Sequence, residues 1–493
     1  MTRHRNDRPQ VRRGGRNPAL DGVRGLAVLA VLVFHMDSLR GGHLGVDVFF
    51  VLSGFLITGQ LLAEQDRTGR VSFTRFYLRR AYRLLPAFLL LIAVAATAVL
   101  VLGISTAAER SSFRGSLASS LLYVNNYVQV GSQSTGAGWL GHTWSLSLEE
   151  QFYLLWPLLL VLACRWGQLA RRLPAALLAG AVAVLVWRDL LIAHGATGRR
   201  MYFALDTRAD ALLVGCALAA WLRVARAGVD GEGAAGLVWR RRVDRVRAAL
   251  PVVGPVALAL LAVGALKVPA DWGPHPALLS HGGYTVVALV AGALVLALEL
   301  GSTSSWLFRG LAAAPLAWLG RISYGFYLWH FPVVAHWGPD LADALGRWPA
   351  IVLVALISVA LASASYYLLE LPIQRHRPAD ARPRVRPAAV QPRPADVGVR
   401  PGAERVRPGA ERVRPGGERV RPGGPRLRPA RSAGVSPAAV VIAPPAFTVT
   451  AAALAGAGVG AGVGIPAART VAVLASDGHQ GRYAWSTQER QAS

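Results

Sequence analysis

The sequence predicts an all-α membrane protein: a polytopic helix bundle with about ten transmembrane helices, followed by a disordered C-terminal tail. Three observations lead to this prediction. The 493-residue chain is 53% hydrophobic and only 16% charged, a low charge content for a soluble protein of that length. Apolar runs long enough to cross a bilayer recur along residues 19–373. Arginines collect in alternate loops between these runs.

The net charge of +26 comes almost entirely from arginine, because Lys267 is the single lysine. These arginines lie between apolar runs and in the tail rather than in one basic folded domain, so no nucleic-acid partner is expected. Cys164 and Cys216 fall within apolar runs, which favours small core residues over a disulfide or a metal site. The first apolar run is too long for a cleavable signal peptide, and no small-residue cleavage site follows it.

Ten apolar runs have the length of a membrane span, and helices are expected because backbone groups in hydrocarbon must bond within their own segment. The expected spans are 19–37, 45–63, 84–103, 146–164, 174–193, 208–224, 249–267, 283–300, 314–336 and 350–370. Loops 64–83, 165–173 and 225–248 are rich in arginine, whereas loops 104–145 and 268–282 are poor in it. The positive-inside rule therefore predicts a multi-pass protein of the plasma membrane with both termini in the cytoplasm.

The regions outside the spans differ in composition. Residues 1–18 predict a disordered basic N-terminus, and residues 19–373 constitute the membrane domain. Residues 374–445 predict a disordered Pro/Arg/Gly-rich linker with heptapeptide repeats such as RPGAERV, whose prolines and glycines exclude a coiled coil. Residues 446–493 are an Ala/Gly-rich low-complexity tail, in which a weak eleventh helix over 446–468 is an open alternative that the glycines disfavour.

The first span carries Arg24 near its start and His35 near its end. Their separation of eleven residues places both on one helix face, roughly 16 Å apart along the axis. Ionisable residues within spans are costly and by default indicate function. Alone, Arg24 is explained by anchoring at the membrane surface and His35 by a bond to a backbone carbonyl. Their common face favours a joint function.

Carboxylates follow in the second and fourth spans. Asp47 is expected at the level of His35, where it could orient the imidazole, although compensation of the helix dipole explains it too. Glu149 and Glu150 point in different directions, so at most one is expected to face a pocket; helix capping is the alternative. Ser53, beside a glycine, is interpreted chiefly as a small residue for close helix packing.

A cluster of arginines follows the second span, in the run FTRFYLRRAYRLLPAF. Arg79 and Arg83 share a helix face, and Arg80 and Arg83 are neighbours three positions apart. Because guanidinium groups bind phosphate bidentately, the cluster predicts an anion site at the membrane surface. Charge anchoring of the third helix is the competing interpretation.

Further polar or aromatic residues near the spans are candidates for supporting roles. Trp144 is interpreted as an interfacial aromatic, and a structural hydrogen bond explains His330 at least as well as catalysis. These candidates are His142, Trp144, Arg208, Asp210 and His330.

Five ordered stretches resemble the signatures of the acyltransferase family 3 integral-membrane O-acyltransferases. They are LDGVRGLAVLAVLVFH, GVDVFFVLSGFLIT, FYLRRAYRLLPAF, HTWSLSLEEQFYLLWP and ISYGFYLWHFP, within residues 18–373. In this resemblance Arg24 and His35 match the hallmark arginine–histidine spacing. The Arg79–Arg83 run, above all Arg80 and Arg83, matches the essential arginines. Glu149 and Glu150 match the glutamate-bearing signature. The tail is expected to lack the esterase-like domain that some members add.

The resemblance implies transfer of an acyl group, commonly acetyl from acetyl-coenzyme A, to a hydroxyl of a sugar or glycan. The resulting hypothesis docks the donor phosphates on Arg24, Arg80 and Arg83 and makes His35 a general base or a transient acyl carrier. Asp47 or one of the glutamates would orient it. Acyl-CoA is expected as a substrate, with no permanently bound cofactor and no metal.

Two other functions remain open from the sequence. One is an acyltransferase acting on a small secondary metabolite such as a macrolide, which would share the same signatures. The other is a transporter of an acylated or anionic solute, since buried charges in a helical bundle fit that class as well. The acceptor, expected to be a cell-surface glycan or glycolipid, the oligomeric state and the need for a partner protein are not determined by the sequence.

Overall fold

The computed structural model describes residues 16–105, 107–131 and 139–376, and these residues form helices with no β-strand among them. The predictions for the N-terminal residues 1–15 and for the linker and tail beyond residue 376 lie outside the described residues. The helices are α1 Pro18–His35, α2 Gly45–Thr68, α3 Phe73–Ala96, α4 Ala107–Leu121, α5 Asn125–Gly131, α6 Trp144–Arg165, α7 Gly167–Ala193, α8 Gly198–Phe203, α9 Leu205–Val229, α10 Gly233–Lys267, α11 Tyr284–Leu300, α12 Trp306–Leu311, α13 Ala314–Arg321, α14 Ser323–Leu345, α15 Arg347–Ala364 and α16 Leu371–Arg375.

Nine helical segments of the described chain are long and apolar enough to cross a membrane, and they correspond to nine of the ten expected spans. The tenth, residues 314–336, is divided into α13 and α14. The backbone leaves the α-helical region at Ile322 (φ −93°, ψ 5°), between the two helices. The second of these helices contains two histidines and two prolines, which make it less apolar than the others.

Several helices continue beyond the apolar stretches by which they were predicted. Helix α3 begins at Phe73 rather than near residue 84, with the Ser72 side chain accepting a hydrogen bond from the backbone N–H of Arg75. Helix α10 begins at Gly233 rather than near residue 249. Hydropathy identifies only the part of a helix that lies in hydrocarbon. It therefore does not predict the arginine-rich turns that extend these helices beyond the apolar run.

The outer surface of the bundle is apolar, as a bilayer requires. On α10, Val252, Val256, Leu260 and Val263 lie at helical spacing and are 67%, 49%, 53% and 54% exposed. A stripe of this size on a soluble protein would be an aggregation surface. Here it is the face that α10 presents to lipid.

Close packing joins α2 to α9 through two glycines. A Cβ atom placed on Gly54 would lie 2.1 Å from the carbonyl oxygen of Leu212, and one placed on Gly215 would lie 2.1 Å from that of Val51. Small residues at such crossings let two membrane helices approach backbone to backbone. The close packing at this step of α2 is therefore made by Gly54.

Replacing Gly54 with alanine is expected to destabilise the bundle by about 1–3 kcal/mol, because the added methyl group forces α2 away from α9. The measurement is unfolding in mixed detergent and SDS micelles, followed by tryptophan fluorescence. Gly59→Ala, on the same helix with no heavy atom within 4 Å of the new Cβ, is the matched control. Equal unfolding midpoints for the two variants would contradict the packing argument.

Candidate active site

The arginine and the histidine of α1 both face α14. The Arg24 side chain donates from Nε to Ser323 Oγ over 3.3 Å, and Nδ1 of His35 lies 3.0 Å from Nε2 of His330. We call these four residues the α1–α14 seam. The helical spacing that placed Arg24 and His35 on one face is therefore reproduced by their contacts, and the bundle has an arginine end and a histidine end along this seam.

Three histidines gather at the histidine end. His35 is half-buried, whereas His330 is fully buried and its Nδ1 lies 2.7 Å from the carbonyl oxygen of Tyr327. The ring of His142 stacks on Phe331 at 4.9 Å and lies 5.9 Å from the ring of His330. In the described part of the chain, no group of three or more His, Cys, Asp or Glu residues could hold a metal ion.

Three arginines gather at the arginine end, and we call Arg24, Arg80 and Arg83 the arginine cluster. Arg83 experiences repulsion from the other two. Among the described residues, its side chain is exposed and has no ion pair, whereas Arg80 lies 3.9 Å from a carboxylate oxygen of Glu150. The guanidinium carbon of Arg80 also lies 3.3 Å from the centre of the Tyr153 ring. Guanidinium groups that repel one another and are only weakly paired have the capacity to form charge-assisted hydrogen bonds to an anion.

Arg79 stands apart from the cluster. It pairs with Glu64 at 3.4 Å, and Arg75 pairs with the same carboxylate at 3.0 Å. These contacts fasten α3 to the end of α2. Arg79 is thus paired within the protein, whereas Arg80 has only the longer contact to Glu150 and Arg83 has no ion pair among the described residues.

The two glutamates diverge, as their adjacent positions on α6 require. Glu149 accepts a hydrogen bond of 2.7 Å from Ser53 Oγ, so that serine makes a polar contact that the packing interpretation did not include. Glu150 points toward Arg80. Neither glutamate contacts the His35 ring by a hydrogen bond, so the expectation that one of them orients it is not met.

Asp47 does not orient His35 either. Its carboxylate accepts a 2.6 Å hydrogen bond from Arg208, and both side chains are completely buried. A second buried pair joins Arg188 to Asp210 at 3.1 Å, and Thr285 bonds to the same aspartate. Because these groups lie on α2, α7, α9 and α11, the expected supporting residues Arg208 and Asp210 hold four helices together.

The sequence did not predict two residues that pair with candidate residues, namely Arg188, which pairs with Asp210, and Glu64, which pairs with Arg79. Arg188 had a usable signal, an arginine inside an apolar span. Glu64 had none, since an acidic residue near a helix end is ordinary. Trp144, interpreted as interfacial, packs inside the bundle instead, with its ring 4.8 Å from that of Tyr202 and 4.9 Å from that of Phe203.

The chain is a membrane protein of the acyltransferase class: the family model described as an acyltransferase domain matches residues 17–367, which include the whole seam and the arginine cluster. The chain belongs to this family. No solved structure matches it.

Three curated relatives extend the comparison. The chain is 31% identical over 375 residues to the peptidoglycan O-acetyltransferase OatA of Listeria monocytogenes, covering 73% of this chain and 56% of that protein. It is 32% identical to the putative peptidoglycan O-acetyltransferase YrhL of Bacillus subtilis, with 72% and 55% covered. It is 30% identical to the O-acetyltransferase OatA of Staphylococcus aureus, with 73% and 57% covered. The chain therefore spans just over half the length of each relative.

Proposed function

We propose that this protein is a membrane O-acetyltransferase that moves an acetyl group from an acyl-coenzyme A donor to a hydroxyl of a cell-wall glycan. The observation that carries the proposal is the seam, which sets Arg24 and His35 on one face of α1 against one neighbouring helix. The names of the relatives support acetyl as the group and peptidoglycan as the acceptor class.

The arginine cluster is the proposed donor site. Coenzyme A is a polyanion through its phosphates, and guanidinium groups bind phosphate with two parallel hydrogen bonds. Arg24 and His35 are roughly 16 Å apart along α1. An extended pantetheine arm can bridge that distance, which brings the thioester to the His35 ring while the phosphates stay at the arginine end.

His35 is the proposed reacting residue. As a general base, its ring nitrogen takes the proton of the acceptor hydroxyl while the hydroxyl oxygen attacks the thioester carbonyl and the coenzyme A thiolate leaves. As an acyl carrier, the same nitrogen attacks the thioester first and the hydroxyl then attacks the acyl-imidazole. Acetyl label trapped on His35 in the absence of acceptor distinguishes the second route from the first.

The proposed orientation follows from the distribution of arginines between loops. Arginine-rich loops in the cytoplasm place the arginine end on the side where acyl-CoA is made. The histidine end then faces the cell wall, and the acceptor reaches it from outside. A cysteine introduced at the arginine end should react with an impermeant thiol reagent only after the cells are opened.

Removing a positive charge from the arginine cluster is expected to weaken donor binding. Arg83→Gln should raise the KM for acetyl-CoA about tenfold, since a charge-assisted hydrogen bond to phosphate contributes about 1.5–3 kcal/mol. The KM is measured with radiolabelled acetyl-CoA and purified protein at several salt concentrations, and the variant should show a weaker salt dependence.

Arg79→Gln is the matched control, because it removes the same charge from the same helix but from a side chain paired with Glu64. Its KM for the donor should change less than that of Arg83→Gln. Equal effects of the two substitutions would mean that net charge, rather than the cluster, binds the donor.

The acceptor class is tested by offering peptidoglycan fragments and a macrolide to the same purified protein. Acetylation of the glycan supports the proposal. Acetylation of the macrolide alone would show that the acceptor is a small metabolite and not a glycan. Formation of either product in detergent micelles excludes a protein that only transports, since a micelle has no two compartments.

A further inference from the structure

The hydrogen bonds of the two seam histidines form a directed chain. The carbonyl oxygen of Tyr327 can only accept a hydrogen bond, so Nδ1 of His330, 2.7 Å away, carries a hydrogen. A neutral imidazole has one N–H, which leaves Nε2 of His330 as an acceptor. This nitrogen lies 3.0 Å from Nδ1 of His35. The donor in that contact must therefore be His35.

His330 is neutral because of its surroundings. The residue is completely buried, and its ring stacks on Phe326 with an interplanar angle of 9° and a centroid distance of 6.1 Å. The other titratable groups facing it are the rings of His35 and His142 and the hydroxyl of Tyr327, and no carboxylate of the described chain bonds to it. A full positive charge buried without a counter-charge would be expensive.

We infer that His330 is a positioning residue that holds His35 in the Nδ1–H tautomer, so that Nε2 of His35 presents its lone pair to the reactants. The inference rests on the proposed function and assigns the reacting atom within it. The opposite tautomer of His35 would set two nitrogen lone pairs against each other at 3.0 Å. No described residue forms a hydrogen bond with Nε2 of His35, and the edge-on ring of Phe331, 5.0 Å away, fixes the plane of the imidazole.

The arrangement also stabilises the product of proton transfer. When Nε2 of His35 takes the hydroxyl proton, the ring becomes cationic and its Nδ1–H bond to His330 becomes charge-assisted, and so stronger. No proton has to leave His35 for this to happen, and His330 keeps its own hydrogen on Tyr327. The series of hydrogen bonds from His35 to His330 to the Tyr327 carbonyl thus orients the His35 ring, a role for which a carboxylate was expected.

Two substitutions of His330 test the assignment. The His330→Leu variant removes the acceptor and keeps an apolar side chain, whereas in His330→Gln the amide oxygen can accept from His35 and the amide nitrogen can donate to Tyr327. We expect His330→Leu to lower kcat by on the order of 10²-fold with little change in the KM for the donor. His330→Gln should recover most of that loss. The control is His336→Leu, which removes another histidine of α14 that bonds to a backbone carbonyl, that of Pro332.

The second readout does not depend on activity. In protein labelled with ¹⁵N-histidine, the ring nitrogen shifts of His35, assigned by their absence in His35→Gln, report its tautomer. The wild type and His330→Gln should show Nδ1–H, and His330→Leu a mixture or Nε2–H. Nε2–H in the wild type, or unchanged Nδ1–H in His330→Leu, would overturn the inference. An Nδ1–H wild type that transfers no acetyl would refute the proposed function and leave the tautomer assignment standing.

Discussion

Replacing His35 with glutamine is expected to abolish acyl transfer while donor binding remains. Without a ring nitrogen of suitable basicity the hydroxyl proton has no acceptor, and general base catalysis is worth about 10²–10⁴-fold in rate. The donor phosphates are held roughly 16 Å away along the helix, so the affinity for coenzyme A should stay within about twofold. Turnover is measured with radiolabelled acetyl-CoA, and affinity by calorimetry with coenzyme A.

His194→Gln is a matched control for this experiment. His194 follows the last residue of α7 and bonds to the carbonyl of Leu190, so it is also a histidine at a helix end, but it is exposed and outside the seam. Its substitution should leave turnover unchanged. If His35→Gln retained turnover close to that of wild type, the reacting group would lie elsewhere and the proposed route along α1 would be wrong.

The common face of Arg24 and His35 could be predicted because it depends only on the 100° rotation per residue within one helix. The identity of their partners could not. His330 is 295 positions from His35, and nothing local indicates that α14 rather than α2 lies against that face. A local pattern fixes which side chains share a face, and tertiary packing decides what the face meets.

Asp47 is a second residue whose tertiary partner could not be predicted from the sequence. Its expected level in the membrane, beside His35, suggested that it could orient the imidazole, yet its carboxylate bonds to Arg208, 161 positions away. A buried arginine attracts the nearest buried carboxylate, because each would be costly alone. The two candidates were chosen separately as site residues, and the structure shows that they bond to one another.

The number of membrane-spanning helices was largely predictable, because hydropathy too is a local property of the sequence. The exception is α14. Nine spans follow from hydropathy, while α14 is less apolar because of its two histidines and two prolines, and one of these histidines, His330, belongs to the seam. The helix that meets both ends of α1 is the one with the weakest membrane signal. Polar contacts at the site and apolar character compete for the same positions.

Breaking the buried pair of Asp47 and Arg208 is expected to have the largest effect on stability. Arg208→Met leaves the Asp47 carboxylate buried without its partner, which typically costs about 3–5 kcal/mol. The guanidinium carbon also lies 3.7 Å from the centre of the Tyr284 ring, and that contact is lost as well. The unfolding midpoint in mixed micelles measures the loss.

The same two helices provide the comparison. Arg223 on α9 pairs with Asp66 on α2, but this pair is exposed, and Arg223→Met should cost no more than about 1 kcal/mol. The double variant Asp47→Leu with Arg208→Met removes both buried charges and should recover much of the stability lost by Arg208→Met alone. If the double variant were less stable than Arg208→Met alone, the carboxylate would have favourable contacts other than the arginine. If it folded but transferred no acetyl group, the pair would also be needed for the reaction.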